Sequence, residues 1–130
     1  MSTAARTAVS IDDFYDLAAL YSTEERMMQA SVREFVRSEI LPNVGTWWQD
    51  GVFPDHLPRR FGEMGMLGVT IPEEYGGAGG SYGAYGLVNR ALEYADSGMR
   101  SFVSVPSSLV LYPIRACAPA RLASTPRSSS

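Results

Sequence analysis

The sequence predicts an all-α fold: a bundle of four to six helices joined by short loops, with little or no sheet. Two segments repeat their apolar residues with the helical period of 3.6, and a capping box marks where the first of them begins. A length of 130 residues is that of one domain, which buries roughly two-thirds of the surface that its unfolded chain exposes.

The first helix is the most clearly marked element. Ser22 and Glu25 fit the S-x-x-E capping box, in which each side chain binds a backbone N–H at the helix start. The apolar residues that follow share one face of this helix: Met28, Val32, Phe35 and Val36.

A proline and a turn signal bound the next short helix. Pro42 either ends the first helix or opens the second, because proline is tolerated in the first turn of a helix but not in its interior. Trp47 and Trp48 precede Asp50-Gly51, which is a turn dipeptide. We expect the two tryptophans to pack in a corner between short helices rather than to stack on a nucleotide base.

The stretch between the third and fourth helices is the most irregular part of the chain. The third helix is predicted at 54–65, and the apolar run 66–71 is expected to be extended until Pro72 breaks it. The glycine-rich run 76–80 lacks the spacing of a phosphate-binding loop, so we interpret it as a turn region.

Two further helical segments follow the glycines. The fourth helix, at 81–95, has an inner face at helical spacing: Tyr85, Val88, Leu92 and Ala95. The fifth apolar segment covers 100–114. A short segment at 12–20 is expected to dock on the body of the bundle.

Composition excludes several classes of function. The net charge is -3 and the 11 basic residues are all arginines, so no polybasic patch favours nucleic acid. Cys117 is the single cysteine and His56 the single histidine, which excludes an internal disulfide and leaves no cluster of metal ligands. No apolar run approaches the roughly 18 residues of a membrane span. The first ten residues lack the apolar core of a secretory signal, so we expect a cytoplasmic protein.

Arg100 is the candidate binding residue. It follows the turn 96–98 at the start of an apolar segment, where the helix dipole disfavours a cation unless an anion compensates for it. Ser104 lies one helical turn later with a hydroxyl able to donate to that anion, and Glu93 is close enough in sequence to orient the guanidinium. This arrangement predicts a pocket for a small carboxylate. The alternative is an arginine that extends into solvent or pairs with a nearby aspartate.

Pro106 affects the geometry of that pocket. If the fifth helix begins near Arg100, the proline lies inside it and removes a backbone hydrogen bond, at a cost of about 3 kcal/mol. If the helix begins near Val103, the proline fits its first turn, but Ser104 then need not share a face with Arg100.

Two long stretches, 22–42 and 53–98, carry a resemblance to a known family. They read STEERMMQASVREFVRSEILP and FPDHLPRRFGEMGMLGVTIPEEYGGAGGSYGAYGLVNRALEYADSG, and they resemble the N-terminal helical domain of the acyl-CoA dehydrogenases over 12–116. The block GMLGVTIPEEYGG is highly specific for that family. The pattern DSG-x-RS-x-x-SV-x-SSLV, at 96–110, narrows the resemblance towards glutaryl-CoA dehydrogenases, which commonly have glutamine where this chain has Pro106.

The resemblance implies an enzyme with an N-terminal helical domain, a middle β-domain and a C-terminal four-helix domain. Such enzymes bind FAD between the domains and usually form homotetramers. A glutamate of the C-terminal domain removes the α-proton of the acyl-CoA while the β-hydride passes to the flavin, and the electrons leave to electron-transfer flavoprotein. In the glutaryl-specific branch, decarboxylation to crotonyl-CoA follows. The resemblance therefore places no catalytic residue in this chain.

The resemblance does imply substrate-binding residues. In glutaryl-CoA dehydrogenases the arginine and serine of the R-S-x-x-S element bind the distal carboxylate of the substrate, and they match Arg100 and Ser104. The glutamate before the DSG turn matches Glu93. An arginine fork suits a carboxylate, which agrees with what the resemblance implies.

The likeness ends near Ala116, because 117–130 reads CAPARLASTPRSSS, a tail without apolar periodicity that we expect to be disordered. The expected parts are therefore a disordered start at 1–10, the helical domain at 11–116 and this non-family tail. The simplest interpretation is a frameshift or a premature stop in the coding sequence, or a gene model cut at the wrong place. We expect the isolated chain neither to hold FAD nor to dehydrogenate glutaryl-CoA.

Two other functions stay open at this point. A free-standing helical interaction domain would use the same scaffold for binding only, through exposed apolar faces that contain Leu87, Val110 and Leu111. A short- or branched-chain acyl-CoA dehydrogenase would carry an incidental arginine at position 100.

Overall fold

The computed structural model describes residues 15–117, so the predicted disordered start and the predicted tail from residue 118 on lie outside the described residues. Within 15–117 the chain forms six α-helices and no β-strand, which confirms the all-α prediction. The helices are α1 (Thr23–Phe35), α2 (Val44–Asp50), α3 (Leu57–Glu63), α4 (Tyr82–Ala95), α5 (Ser97–Ser104) and α6 (Tyr112–Cys117).

Shorter helical segments extend or connect these six. A π-helical segment (Val36–Ile40) continues α1, and a second one (Val105–Leu111) joins α5 to α6. Three 3₁₀ turns lie at Leu17–Leu20, Met66–Gly68 and Glu73–Tyr75.

The expectation of an extended run at 66–71 is wrong. Its first residues, Met66–Gly68, form a 3₁₀ turn, because the glycine-rich run wraps around them. Ala78 N donates to Gly68 O, and Gly80 N donates to Val69 O. The turn region predicted for the glycines is confirmed, and it is this region that bends the preceding apolar run.

Helix α4 packs along both α1 and α5. The inner faces predicted for the first and fourth helices are confirmed, since their apolar residues are buried or half-buried. The buried ones are Val32, Phe35, Val36, Val88 and Leu92. Burial of one such side chain contributes roughly 1.5–3 kcal/mol, so these faces hold the helices together.

The expectation of exposed apolar faces is correct for two residues and wrong for the third. Val110 and Leu111 are 44% and 39% exposed, but Leu87 is only 3% exposed. Position 87 precedes the buried Val88, and it lies at the edge of the face that α4 buries.

Aromatic rings attach α3 to the other helices. The Phe61 ring lies 5.9 Å from that of Phe35 in an edge-to-face arrangement, and 6.0 Å from that of Phe102. Phe53 stacks on Phe102 with 4.9 Å between centroids. Such pairs contribute roughly 0.5–1.5 kcal/mol each beyond the area they bury.

One carboxylate closes the N-terminal caps of α1 and α4. The predicted capping box is confirmed, because Glu25 N donates to Ser22 Oγ at 3.1 Å and Ser22 N donates to Glu25 Oε2 at 2.9 Å. The other oxygen of Glu25 accepts from Ser81 Oγ, which itself accepts from Ala84 N at 2.9 Å. These bonds, first the one from Ser81, lower the pKa of Glu25.

Arg60 of α3 joins two acids. Its Nη2 and Nε donate to the two oxygens of Glu39 at 2.6 and 3.2 Å, and its Nη1 donates to Glu63 at 3.1 Å. The three side chains are 34–46% exposed, so solvent screens the pairs and their contribution is modest. The bonds from Arg60 lower the pKa of both acids.

We predict that Glu39→Gln removes an acid-sensitive part of the stability. The pKa of Glu39 lies below its ordinary 4.5, chiefly because Arg60 donates to it. A lowered folded-state pKa stabilises the fold above the unfolded value, and this gain is lost as the pH falls through the folded value. Urea unfolding across the pH range should show the wild type losing more stability than the variant below about pH 4.5. Glu74→Gln, on an exposed 3₁₀ turn, is the control, and identical acid profiles for wild type and Glu39→Gln would contradict the prediction.

We predict that Gly77→Ala destabilises the loop, because a Cβ at position 77 would collide with the carbonyl group of Ile71. Backbone overlap of this kind forces a rearrangement, and we expect a loss of about 1–3 kcal/mol in the free energy of unfolding. Gly86→Ala is the matched control, since a Cβ there meets nothing within 4 Å and alanine favours a helix by roughly 0.5–1 kcal/mol. Chemical denaturation should move the two variants in opposite directions; a shared direction would be the contrary result.

Candidate functional site

The candidate site lies where α4 meets α5, around the single residue between them, Asp96. The Asp96 carboxylate caps α5, because its Oδ1 accepts from Met99 N at 2.8 Å. Its Oδ2 accepts from Trp48 Nε1, also at 2.8 Å. The expectation that both tryptophans pack in a corner is correct for Trp47, which packs against the core. It is wrong for Trp48, which is 75% exposed and joins α2 to the start of α5 through its bond to Asp96.

Helix α5 begins at Ser97, earlier than either start considered from the sequence. Arg100 therefore lies in the first turn of α5, and Ser104 is its last residue, four positions later on the same helix. Residues at this spacing are neighbours on a helix surface. Pro106 lies outside α5, in the π-helical segment Val105–Leu111.

The structure brings Arg100 and Glu93 together. Arg100 Nε donates to Glu93 Oε2 at 2.7 Å, with the side chains 38% and 50% exposed. An exposed pair of this kind is worth roughly 0–1 kcal/mol. Within residues 15–117, Nη1 and Nη2 of Arg100 have no hydrogen-bond partner. The end-on fork of the guanidinium is therefore available to a ligand.

Ser104 is half-buried beside this arginine. Its hydroxyl donates to Ser101 O at 3.3 Å, beyond the usual length of such a bond. Its carbonyl accepts from Tyr85 Oη at 3.5 Å. Because the hydroxyl is weakly bound and free to rotate, it can turn to a better acceptor.

The chain itself supplies the anions that the dipole argument required. Asp96 neutralises the N-terminus of α5, and Glu93 neutralises Arg100. The helix dipole therefore does not by itself demand an external carboxylate. What favours a ligand is the unpaired fork of Arg100 next to the Ser104 hydroxyl.

Asn89 is a residue of this region that the sequence patterns did not reveal. Its Nδ2 donates to Tyr85 O at 2.8 Å. Its Oδ1 is buried and is the one side-chain nitrogen or oxygen of the described residues that is both buried and unpartnered. Its position in the sequence could have indicated it, because Asn89 lies one helical turn from both Tyr85 and Glu93.

Two surface grooves flank these helices. One, of about 410 Å³, lies between α1 and α4, and Arg33, Arg37 and Arg90 contribute to its walls. The other, of about 360 Å³, is more open and is lined by Trp47, Trp48 and Asp96.

The residues around these two grooves do not fit FAD by themselves. FAD needs a slot for its flavin ring together with donors for its pyrophosphate. The first groove has arginines in its walls, but among the described residues that line it Tyr94 is the one aromatic ring, so the flavin would have no second ring opposite. The second offers aromatic walls, but its charged residue is an aspartate, which repels phosphate.

None of the helices in residues 15–117 is long and apolar enough to cross a membrane. Over the same range, no three His, Cys, Asp or Glu side chains are grouped so that they could hold a metal ion.

The family model for the acyl-CoA dehydrogenase N-terminal domain matches residues 22–122. The chain belongs to the acyl-CoA dehydrogenase family. Members of this family are FAD-dependent oxidoreductases, and their N-terminal domain is helical, like residues 15–117 here. The expected domain limits at residues 11 and 116 stay a prediction.

Individual acyl-CoA dehydrogenases agree with this assignment. A crystal structure of glutaryl-CoA dehydrogenase from Mycobacterium smegmatis is 43% identical, with a TM-score of 0.74 over 81% of this chain and 27% of its own. A second structure from that organism, a glutaryl-CoA dehydrogenase in complex with FADH2, is 40% identical, with a TM-score of 0.73 over 78% of this chain and 26% of its own. The mouse (Mus musculus) mitochondrial short-chain specific acyl-CoA dehydrogenase is 30% identical over 84% of this chain and 28% of its own. The chain thus spans little more than a quarter of the length of each relative.

We predict that Asp96→Ala destabilises the domain by about 0.5–2 kcal/mol, the usual cost of losing an N-cap side chain. Asp96→Asn should lose less, because asparagine keeps the capping oxygen. Trp48→Phe removes only the second bond to Asp96 and serves as the control for it. Urea unfolding ranks the three variants, and an Asn variant as unstable as the Ala variant would argue against the capping role.

Proposed function

We propose that this chain provides the N-terminal domain of an FAD-dependent glutaryl-CoA dehydrogenase and that it binds the distal carboxylate of glutaryl-CoA. The observation that carries this proposal is the end-on fork of Arg100, oriented by Glu93 and lying one helical turn from the Ser104 hydroxyl. The 40–43% identity to glutaryl-CoA dehydrogenases of known structure supports it.

The three residues have separate roles in this proposal. Arg100 donates to both carboxylate oxygens through Nη1 and Nη2, which is the bidentate geometry that arginine favours. Ser104 leaves its long bond to Ser101 O and donates to one of the same oxygens. Glu93 keeps Nε occupied, so the carboxylate approaches along the end-on edge. An acyl chain without the carboxylate would leave Arg100 and Ser104 unpaired. Sites whose polar groups lose their partner in this way strongly reject the substrate that lacks the matching group.

We propose the remaining parts of the reaction from the chain's membership of the family. FAD accepts the hydride, electron-transfer flavoprotein takes the electrons, and decarboxylation yields crotonyl-CoA. We propose that the flavin and the catalytic base are held by residues other than 15–117, and that this chain alone neither binds FAD nor oxidises glutaryl-CoA. A homotetramer and a cytoplasmic location complete the proposal.

Two rival functions have an observation in their favour. The mouse short-chain specific relative favours a butyryl-CoA type of substrate with an incidental Arg100. The exposed apolar residues Leu109 and Ile114, 69% and 61% accessible, favour a domain that only binds a partner. Substrate preference separates the first rival from our proposal, and turnover separates the second.

We predict that Arg100→Gln selectively weakens the use of glutaryl-CoA. The experiment places residues 15–117 in the Mycobacterium smegmatis glutaryl-CoA dehydrogenase in exchange for its own N-terminal domain. Hydrogen bonds to charged groups are worth about 1.5–3 kcal/mol, so kcat/KM for glutaryl-CoA should fall roughly 10- to 150-fold. The kcat/KM for butyryl-CoA should stay unchanged.

Arg59→Gln is the matched control for this prediction. Arg59 Nε forms the same kind of pair, with Glu63 at 3.0 Å, but on α3. Unchanged glutaryl-CoA turnover in Arg100→Gln would refute the proposal, and a preference of the unmutated hybrid for butyryl-CoA would favour the short-chain rival. A flavin-loaded hybrid inactive on both thioesters would favour the interaction domain.

A further inference from the structure

We propose that Asn89 is a positioning residue for Arg100. When a carboxylate is bound, the Asn89 Oδ1 accepts a hydrogen bond from an N–H of Arg100 Nη2. Asn89 and Glu93 then hold one guanidinium from adjacent turns of α4. This inference rests on the proposed function, because it assigns a role in the same carboxylate site.

One buried oxygen of α4 accepts no hydrogen bond within residues 15–117. Asn89 Oδ1 is buried without a hydrogen-bond partner, and such an atom in a folded protein calls for an explanation. The orientation of the amide is fixed, because Nδ2 donates to Tyr85 O at 2.8 Å. The reverse orientation would set two oxygens against each other. The unpaired atom is therefore an acceptor, and it needs a donor.

Helical spacing shows which side of α4 this acceptor occupies. Tyr85, Asn89 and Glu93 follow one another at intervals of four residues and so form one stripe along α4. Both outer members contact α5: Tyr85 Oη donates to Ser104 O, and Glu93 accepts from Arg100. Asn89 therefore lies along the same α4–α5 seam, between those two contacts.

Arg100 is the donor that matches this acceptor. The Tyr85 hydroxyl is turned towards α5 and lies 3.5 Å from Ser104 O, and in the proposed function the Ser104 hydroxyl donates to the ligand. The Nη groups of Arg100 keep unpaired N–H groups in residues 15–117. The side-on edge of a guanidinium presents Nε–H and one Nη2 N–H in the same direction. Glu93 takes the first, which leaves the second for an acceptor on the same helix, and Asn89 is one turn from Glu93 on that helix.

The two edges of the Arg100 guanidinium then have different partners. The side-on edge faces α4 and is held by Glu93 and Asn89, and the end-on edge faces the carboxylate. Two acceptors fix the plane of the guanidinium, whereas Glu93 alone leaves it free to turn about Nε. If the carboxylate meets both Arg100 Nη groups and Ser104 only in this orientation, its binding stabilises the doubly held state over the open one.

The test uses the full 130-residue chain and two thioesters, glutaryl-CoA and butyryl-CoA. Dissociation constants are measured by NMR titration for the wild type, Asn89→Leu, Arg100→Gln and Asn43→Leu. Asn43 is the matched control, because its Nδ2 makes the same bond to the carbonyl four residues earlier, Glu39 O at 3.1 Å, at an exposed position. We expect Asn89→Leu to weaken glutaryl-CoA binding roughly tenfold, with butyryl-CoA binding and the Asn43→Leu variant unaffected.

A merely structural Asn89 would give a different pattern. Replacing an unpaired buried acceptor by leucine should then raise the unfolding midpoint and leave the thioester affinities unchanged, which would overturn the inference. The proposed function would still stand if Arg100→Gln lost glutaryl-CoA binding in the same experiment. Glutaryl-CoA affinity that is unchanged in Arg100→Gln would overturn the proposed function, and the inference with it.

A measurement on the wild type covers the case in which Asn89→Leu does not fold. Glutaryl-CoA should shift the side-chain amide resonances of Asn89 and slow the solvent exchange of the Arg100 Nη protons, whereas butyryl-CoA should do neither. Asn89 resonances that stay in place when Arg100 responds to glutaryl-CoA would overturn the inference.

Discussion

The junction between α4 and α5 is the constraint on which the rest of the site depends. A single residue, Asp96, separates the two helices, and its carboxylate caps α5 while it accepts a bond from Trp48. A connection of one residue leaves the two helices little conformational freedom, so the last turn of α4 and the first turn of α5 keep one relative position. Glu93 and Arg100 meet because of it. The Arg100–Glu93 pair therefore forms because the backbone at the junction is held in place by the Asp96 cap.

Sequence patterns predicted the elements whose signals are local. The cap at Ser22 and the inner faces of α1 and α4 depend on residues within a few turns of each other, and both were predicted correctly. The run at 66–71 was not, because burial alone does not distinguish an extended segment from a turn. Hydrogen bonds from Ala78 and Gly80, ten or more residues away, decide its shape. The start of α5 was missed because Asp96 was interpreted as part of a turn and not as a cap.

The sequence predicted which residues meet at the α4–α5 junction better than it predicted the interactions that act on them. The family resemblance indicated Arg100, Ser104 and Glu93, and the structure places Arg100 against Glu93 and Ser104 one turn beyond. The dipole of α5, however, is satisfied by Asp96, so it is not what makes Arg100 a ligand group. Asn89 has no sequence signature, because an unpaired acceptor exists only once neighbouring helices have covered it. Burial of this kind is a tertiary property.

The shared cap at Glu25 couples two helices that are distant in sequence. One carboxylate binds Ser22 at the start of α1 and Ser81 at the start of α4. Fraying of either first turn breaks the bond between Ser81 and Glu25 and so removes a hydrogen bond from the cap of the other, which favours opening of both ends in one cooperative step. Amide protons of the two turns would then exchange with solvent at a common free energy, although more than fifty residues separate them along the chain.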